Sequence, residues 1–190
     1  MYNSWEELKQ NCLECAKCPL CQARTQVVFG TGNPQSEVML IGEGPGEQED
    51  LQGKPFVGRS GKLLDQMLAD IGLDRNKNIF IANIVKCRPP NNRDPLPDEQ
   101  ETCINWLRNQ VAFLKPKIIV ALGRIAAMRT INPEIKITRD HGVFYKKKKT
   151  WMMATLHPAA LLRNPAQKPG AVQDFLNLQD KIKEICTHTY

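Results

Sequence analysis

Long apolar runs are missing from this sequence of 190 residues. No stretch approaches the roughly eighteen consecutive apolar residues of a membrane-spanning helix, and the polar start Met1 to Gln10 does not resemble a signal peptide. We therefore expect an intracellular, cytoplasmic protein with no membrane partner. Internal repeats and long linkers are missing too, so residues 1–190 are predicted to form a single domain.

The common glycine-rich signatures of nucleotide binding are missing as well. The glycines of the segment Gly42–Gly46 stand two residues apart with a proline among them, which does not match G-x-G-x-x-G, and no G-x-x-x-x-G-K-[ST] occurs. A nucleotide-dependent transferase is therefore disfavoured. The segment suits a loop whose backbone N–H groups approach a ligand while Glu43 faces a pocket, and an ordinary strand-to-helix turn is the alternative.

Cysteine, by contrast, is plentiful, with seven residues. Disulfides do not persist in a reducing cytoplasm, so these thiols are predicted to be free or metal-bound. The cysteines form an evenly spaced N-terminal set of Cys12, Cys15, Cys18 and Cys21 and a scattered set of Cys87, Cys103 and Cys186. Overlapping C-x-x-C units bring thiolates within reach of one centre, which predicts a metal or iron-sulfur site. The spacing leaves open which of the N-terminal thiols bind.

Positive charge is in excess, with 26 Lys and Arg against 20 Asp and Glu, a formal net charge of +6 and a pI of about 9.0. This excess favours a polyanionic partner. The run Lys146 to Lys149 is predicted at a hairpin turn before Trp151, where the lysines are either solvated or in contact with phosphate. No heptad or apolar stripe compels an oligomer, so we expect a monomer.

Short apolar runs alternate with helical patterns along the chain. The runs predicted as buried strands are Val38 to Ile41, Ile79 to Val85, Ile118 to Leu122 and Trp151 to Leu156. The predicted helices are Gly61 to Ile71, Asp98 to Leu114, Arg124 to Ile131 and Val172 to Cys186. This order predicts a single-domain, three-layer α/β/α fold around a mostly parallel sheet of four strands.

Polar residues end the predicted strands. Glu43, Asn83 and His157 fall at carboxyl ends, where open α/β sheets bind ligands, so we expect them to share one pocket. An amide inside an apolar strand needs partners and can read the imide edge of a pyrimidine, while Phe56, outside any clear element, can stack on a base. The alternatives are a satisfied core amide, a core-capping ring and a structural histidine.

The segment after His157 carries adjacent leucines, Leu161 and Leu162, beside Arg163. Apolar wedges next to basic groups are used to unstack a base and hold the phosphates. The start of a helix explains the same residues.

Together, these motifs resemble the family 4 uracil-DNA glycosylases, which contain an iron-sulfur cluster. The matching segments are Cys15-Ala16-Lys17-Cys18-Pro19-Leu20, Arg24-Thr25, Gly42 to Asp50, Gly53 to Gly61, Asn83 with Val85 to Arg93, and His157-Pro158 with Leu161 to Arg163. The likeness covers most of the chain. It implies cleavage of the N-glycosidic bond of uracil in DNA, which leaves an abasic site.

The resemblance implies a role for each matching residue. It implies a 4Fe-4S cluster bound by Cys15, Cys18, Cys87 and Cys103, which leaves Cys12 and Cys21 as extra thiols. It implies catalysis by Glu43 and His157, substrate binding by Gly42, Gly44, Phe56 and Asn83, and DNA binding by Leu161 and Arg163. In this scheme His157 stabilises the uracil anion, and Glu43 positions water or offsets charge on the sugar. Glu47, Glu49 and Asp50 are weaker candidates for a supporting role.

The loop after the second strand indicates whether the enzyme bonds covalently to DNA. A related group of glycosylases bonds covalently to DNA through a histidine in a basic loop after the second strand. The corresponding segment here, Lys86 to Arg93, has no histidine, so we expect a monofunctional enzyme without a lyase step or a trapped adduct.

The competing hypothesis is a non-catalytic nucleic-acid-binding protein with cysteine-bound zinc, which gives no reason for Glu43, Asn83 and His157 to converge.

Overall fold

The computed structural model describes residues 2–190, and within them six strands form one central sheet. The strands are β1 Thr31–Gly32, β2 Val38–Gly42, β3 Ile79–Asn83, β4 Ile118–Leu122, β5 Phe144–Lys147 and β6 Thr150–Thr155. Their order across the sheet is β1-β3-β2-β4-β6-β5, with parallel pairing in the centre and antiparallel pairing at both edges. The four predicted strands correspond to β2, β3, β4 and β6, which form the parallel centre of the sheet, and the α/β class is thereby confirmed. The edge strands β1 and β5 make the sheet wider than the predicted four strands.

The edge strands carry weak sequence signals. β1 is only two residues long. β5 pairs with β6 in the hairpin that the lysine run predicts, and Lys148 at the turn has a positive φ of 56°. Lys146 and Lys147 lie within β5, and lysines on an edge strand discourage pairing with another chain.

Eight α-helices surround the sheet within the described residues. They are α1 Trp5–Leu13, α2 Glu47–Gln52, α3 Arg59–Ala69, α4 Pro97–Leu114, α5 Arg124–Thr130, α6 Ile137–Asp140, α7 Pro158–Arg163 and α8 Lys168–Ile185. The predicted helices correspond to α3, α4, α5 and α8, with boundaries shifted by up to four residues. Helices α1, α2 and α6 were not predicted from the sequence, and α7 was only the alternative explanation for the residues after His157. Ser4 caps α1 by accepting a hydrogen bond from the backbone N–H of Glu7, and α2 ends at Gly53 with a φ of 67°.

Alternation along the strands builds the layers. In β2, Val38 and Leu40 face the core that α3, α7 and α8 cover, while Met39 and Ile41 face the core that α1, α4 and α5 cover. Both faces of the central strands are therefore buried, as a three-layer fold requires. Within residues 2–190, no helix is both long enough and apolar enough to cross a membrane.

Candidate active site

A cavity of about 540 Å³ opens at the carboxyl edge of the parallel strands. Glu43 after β2, Asn83 at the end of β3 and His157 after β6 all line it, together with Phe56. The structure thus brings together the polar residues that the sequence places at strand ends. The arrangement follows from parallel pairing, because the carboxyl ends of all the central strands meet at one edge.

Asn83 enters this cavity from a buried position with 1% exposure. Its side-chain Oδ1 has no hydrogen-bond partner among the residues that the structure describes. Asn83 pairs with Gly42 on β2, and a Cβ atom at position 42 would collide with both Oδ1 and the Phe56 ring. Gly42 therefore gives these two side chains room, whereas Gly44 lines the cavity itself. A buried carbonyl oxygen without a donor costs free energy, so this atom is suited to an external N–H group.

His157 is the N-cap residue of α7, and its Nδ1 accepts a hydrogen bond from the backbone N–H of Ala159 at 3.1 Å. Burial lowers the pKa of His157 to about 4, the charge of Arg163 lowers it further and Glu49 opposes the shift. The imidazole is therefore neutral at pH 7. Because Nδ1 is an acceptor, the neutral ring carries its proton on Nε2 and has one N–H to donate.

The ring of Phe56 lies beside His157, with 5.5 Å between the ring centroids and a tilt of 32°. Gly123, which was not among the predicted site residues, also lies against His157. Gly123 follows β4 with a φ of 91°, and a Cβ there would lie 2.9 Å from the Cβ of His157. The left-handed backbone and the close approach both require glycine at this position.

Glu43 is a partly buried carboxyl group at the same edge. Burial raises the pKa of Glu43 to about 7, Asp94 raises it further, and Arg124 partly offsets both effects. Asp94 and Arg124 line the cavity and form an ion pair of 2.6 Å. Sequence reasoning missed this pair, since its members are thirty residues apart and carry no local signal. The Glu43 carboxyl is therefore poised between its acid and base forms near neutral pH.

The acidic residues that come after Glu43 have separate structural roles. Oε1 of Glu49 accepts hydrogen bonds from the backbone N–H groups of Val57, at 2.9 Å, and Gly58, at 3.0 Å, just after Phe56. Asp50 accepts from the backbone N–H groups of Thr25 and Gln26. Glu47 is exposed, 3.9 Å from a guanidinium nitrogen of Arg88. Of the weaker candidates, Glu49 alone lines the cavity.

The predicted DNA-binding residues on α7 separate into a buried and an exposed set. Arg163 lines the cavity and is exposed, and its contact with DNA stays a prediction. The prediction of Leu161 as an apolar wedge is corrected, because this side chain is 0% exposed and packs into the core on the α3 and α8 side of the sheet. Leu162 is 36% exposed. One residue of helical rotation decides which leucine faces the solvent.

The predicted cluster cysteines do not line the cavity and gather next to α1 and α4. Cys87 and Cys103 are buried in the same core cluster as Cys12, and Cys15 and Cys18 pack against it. Burial raises the pKa of Cys12 and of Cys103 to about 12. A metal that binds such thiols displaces their protons.

Several N–H groups point at the sulfur atoms of these cysteines. Arg24 Nη1 donates to Cys87 Sγ at 3.3 Å, Trp106 Nε1 donates to Cys15 Sγ at 3.3 Å, and the backbone N–H of Lys86 donates to Cys103 Sγ at 3.2 Å. Donors of this kind stabilise thiolates and cluster sulfur atoms. The donor chemistry therefore fits a metal cluster.

The spacing of the cysteines bears on the kind of metal centre. Within residues 2–190, no three His, Cys, Asp or Glu side chains converge at the spacing of a metal ion. In a 4Fe-4S cluster each thiolate binds a different iron atom, so the ligands stand farther apart than those of one ion. The cysteine-rich N-terminal region is compatible with a metal cluster on the basis of its donor set.

Lys86 links the cysteine region to the cavity. Its side chain is 1% exposed, and its Nζ donates to the backbone carbonyl of Asn83 at 2.9 Å and to Oε1 of Gln110 at 2.7 Å. Burial lowers the pKa of Lys86 to about 8. Nothing in the local sequence distinguishes this lysine from a solvated one, so sequence reasoning did not assign it a role.

Comparison with known proteins decides the family. Residues 29–178 match the family model of the uracil DNA glycosylase superfamily. The sequence is 42% identical to the type-4 uracil-DNA glycosylase of Archaeoglobus fulgidus, across 96% of this chain and 94% of that protein. The chain belongs to the type-4 uracil-DNA glycosylases.

Other type-4 uracil-DNA glycosylases have similar identities. The protein of Sulfurisphaera tokodaii is 43% identical across 94% of this chain and 84% of its own length, and that of Thermotoga maritima is 41% identical across 84% and 83%. The family resemblance seen in the motifs is thereby confirmed. The roles of individual side chains stay predictions.

Proposed function

We propose that this protein is a DNA repair enzyme that hydrolyses the N-glycosidic bond of uracil in DNA and leaves an abasic site. Membership of the type-4 uracil-DNA glycosylases supports this reaction. The observation that carries the proposal at atomic level is the unpaired Oδ1 of Asn83 in a cavity shared with Phe56 and His157.

Asn83 is proposed to read the base. Uracil presents an N3–H donor beside the O4 acceptor, so its edge offers a hydrogen to Oδ1 and accepts one from Nδ2. Cytosine presents an acceptor at N3 and a donor at the neighbouring exocyclic amine, which would leave Oδ1 unpaired and oppose donor to donor. Leaving a buried polar group unsatisfied costs about 1–3 kcal/mol, enough for roughly 5- to 150-fold discrimination.

His157 is proposed to stabilise the departing base. When the bond between C1′ of the sugar and N1 of uracil breaks, its electron pair goes to the base and negative charge spreads to the O2 oxygen. A neutral imidazole with its proton on Nε2 donates to this oxygen and gains strength as the charge develops. Phe56 stacks on the face of the same base.

Glu43 is proposed to act on the sugar side. The sugar becomes electron-poor as the base departs, and a carboxylate stabilises this positive charge and orients the attacking water. The water oxygen bonds to C1′, and its proton is released to the carboxylate or to solvent. This role needs the ionised form, whose population rises through a pKa of about 7.

Access to the base requires the nucleotide to leave the duplex. An enzyme that acts on a base inside DNA flips the nucleotide into its pocket. Arg163, which lines the cavity, is proposed to contact a phosphate, and the exposed Leu162, rather than the buried Leu161, is proposed as the wedge. A monomer is sufficient for these contacts.

Water is the final acceptor of the sugar, so no covalent protein-DNA adduct forms, and a stable band on a denaturing gel would contradict this.

A 4Fe-4S cluster bound by Cys15, Cys18, Cys87 and Cys103 is proposed as a structural cofactor. When bound, it would hold the N-terminal segment against the loop after β3 and against α4, without taking part in hydrolysis. Iron analysis of Cys15→Ala and Cys12→Ala tests the ligand choice, because Cys15→Ala is expected to lose iron and Cys12→Ala to keep it. The reverse pattern would show that the ligand set is wrong.

The function is tested with end-labelled oligonucleotides that contain one uracil, paired with G, paired with A or unpaired. Alkali cleaves the strand at each abasic site, and we expect cleavage at uracil only. Matched oligonucleotides with thymine or cytosine at that position are the controls. A brown, folded preparation that cleaves none of them would contradict the glycosylase proposal, and a colourless, zinc-containing one would favour the binding-protein hypothesis.

A further inference from the structure

Phe56 has a backbone conformation that an aromatic residue rarely adopts. Its φ is 53°, in the left-handed region, where the Cβ atom crowds the backbone. Such a conformation costs on the order of 1–3 kcal/mol and persists only where the surroundings hold it. The side chain is nevertheless buried in place, against Gly42 and beside His157. Some contact must therefore hold the Phe56 backbone.

Arg75, in the loop between α3 and β3, supplies that contact. Its Nη1 donates to the carbonyl of Pro55 at 2.8 Å, and its Nη2 donates to the carbonyl of Phe56 at 2.7 Å. Its Nε donates to Asp65 on α3 at 2.7 Å. The guanidinium side chain is 13% exposed and has a partner on each of its nitrogen atoms. A planar fork with fixed donors suits two successive carbonyls, which a lysine cannot span.

Two neighbouring features restrict the backbone around Phe56 further. Gly61 on α3 lies directly against this carbonyl, where a side chain at position 61 would collide with it. Glu49 binds the next residues, Val57 and Gly58, through their N–H groups only. Arg75 therefore fixes the residue that carries the ring, and Glu49 fixes the two residues after it.

We propose that Arg75 is a positioning residue for base stacking: its guanidinium holds Phe56 in the left-handed conformation that places the ring against the bound base. This inference rests on the proposed glycosylase function. Arg75 does not line the cavity and touches no reacting group, so it acts through Phe56. Asp65 orients the guanidinium from the solvent side.

A double-mutant cycle tests the proposal on an oligonucleotide with one unpaired uracil. We expect Arg75→Met to lower kcat/KM by about 10- to 50-fold in the otherwise unchanged protein and by less than 2-fold in the Phe56→Ala background. Arg75→Lys is expected to recover little of the loss. The affinity for DNA that contains an abasic site should stay the same, since Arg75 does not reach the cavity mouth.

Lys117→Met is the matched control. Lys117 also binds a carboxylate and a backbone carbonyl, those of Glu37 and Ile185, but it lies at the amino end of β4. Its loss should lower thermal stability and leave kcat/KM unchanged. If Arg75→Met does not fold, Asp65→Asn replaces it in the cycle, with an expected 2- to 5-fold loss that disappears in the Phe56→Ala background.

The outcomes separate the two proposals. Equal losses from Arg75→Met in both backgrounds, or no loss in either, would overturn the positioning role while leaving the function intact. Failure of the unchanged protein to release uracil would overturn the proposed function itself.

Discussion

The glutamates that flank strand β2 stand at opposite ends of the sheet and in opposite electrostatic situations. Burial opposes ionisation of Glu37, which precedes β2, but hydrogen bonds from Lys117 and from residues 187–189 outweigh it and hold the pKa well below its usual range. Glu43, just after β2, has no such set of donors among residues 2–190, and burial raises its pKa to about 7. The carboxylate at one end of the strand is therefore stabilised by its donors, whereas burial favours the neutral carboxyl group at the other end.

This difference distinguishes the amino end of β2, where a carboxylate stabilises the fold, from the carboxyl end, which carries the proposed site. A buried polar group with all its partners stabilises one structure, whereas a buried group without them costs stability unless a ligand completes it. At the amino end, Glu37 joins the C-terminal segment to the sheet. At the carboxyl end, Glu43 leaves a carboxyl group available, Asn83 leaves an amide oxygen and His157 leaves an N–H. Matched substitutions at the two ends test this contrast.

The largest effect is expected at Asn83. Asn83→Ala removes both of the hydrogen bonds proposed to the uracil edge, and we expect uracil release to fall by roughly 10²- to 10³-fold, because two buried hydrogen bonds contribute a few kcal/mol. Single-turnover kinetics measure this loss. Asn78→Ala is the control, since Asn78 has bonded partners on both amide atoms. Asn78→Ala should lower stability and spare the rate, and equal losses of rate would remove the distinction between the two amides.

The sequence predicts features that depend on neighbouring residues, and it does not predict contacts between residues that are far apart along the chain. Apolar periodicity predicted the central strands, and parallel pairing then placed Glu43, Asn83 and His157 at one edge. The buried position of Leu161 depends on the exact phase of α7, which a short helix start does not reveal. The attachment of Glu37 to residues about 150 positions away, and that of Arg75 to Phe56, are set by tertiary packing and have no local signature.

The next effect in size is expected at His157. His157→Ala removes the N–H that is proposed to face the departing base, and loss of one such donor costs about 10²-fold in rate. The unchanged protein should keep this contribution down to acidic pH, because its imidazole stays neutral above a pKa of about 4. His141→Ala is the control, since Nδ1 of His141 is already bonded to Asp174 at 2.8 Å. A rate that falls as His157 loses its charge near pH 6.5 would instead indicate a cationic imidazole.

A smaller effect is expected from Glu43→Gln, and it depends on pH. The carboxylate form grows as the pH rises through about 7, so the rate of the unchanged protein should rise over the same range and then level off. Glu43→Gln should lower the plateau by about 10- to 100-fold and remove the rise. Rates from pH 5.5 to 8.5 on one uracil substrate provide the measurement. A pH dependence retained in Glu43→Gln would assign the titration to another group.

The last and smallest expected effects are on stability, and they have opposite signs at the two ends of β2. The folded pKa of Glu37 is depressed, so its contribution to stability is present above pH 4.5 and is lost as the pH falls; Glu37→Gln should cost about 2–3 kcal/mol at pH 7.5. The folded pKa of Glu43 is raised, so the folded state loses stability as the pH rises from about 4.5 to 7. Glu43→Gln should therefore stabilise the protein by about 1–2 kcal/mol at pH 7.5, after allowance for solvent at the cavity mouth.

Denaturant unfolding of both variants at pH 5 and pH 7.5 measures these changes, and only the Glu43 variant should also lose activity. Changes of the same sign would mean that the two carboxyl groups are held alike. Opposite signs would show that the unsatisfied end of the strand is kept at a cost in stability, which is the expected mark of a site built around its ligand.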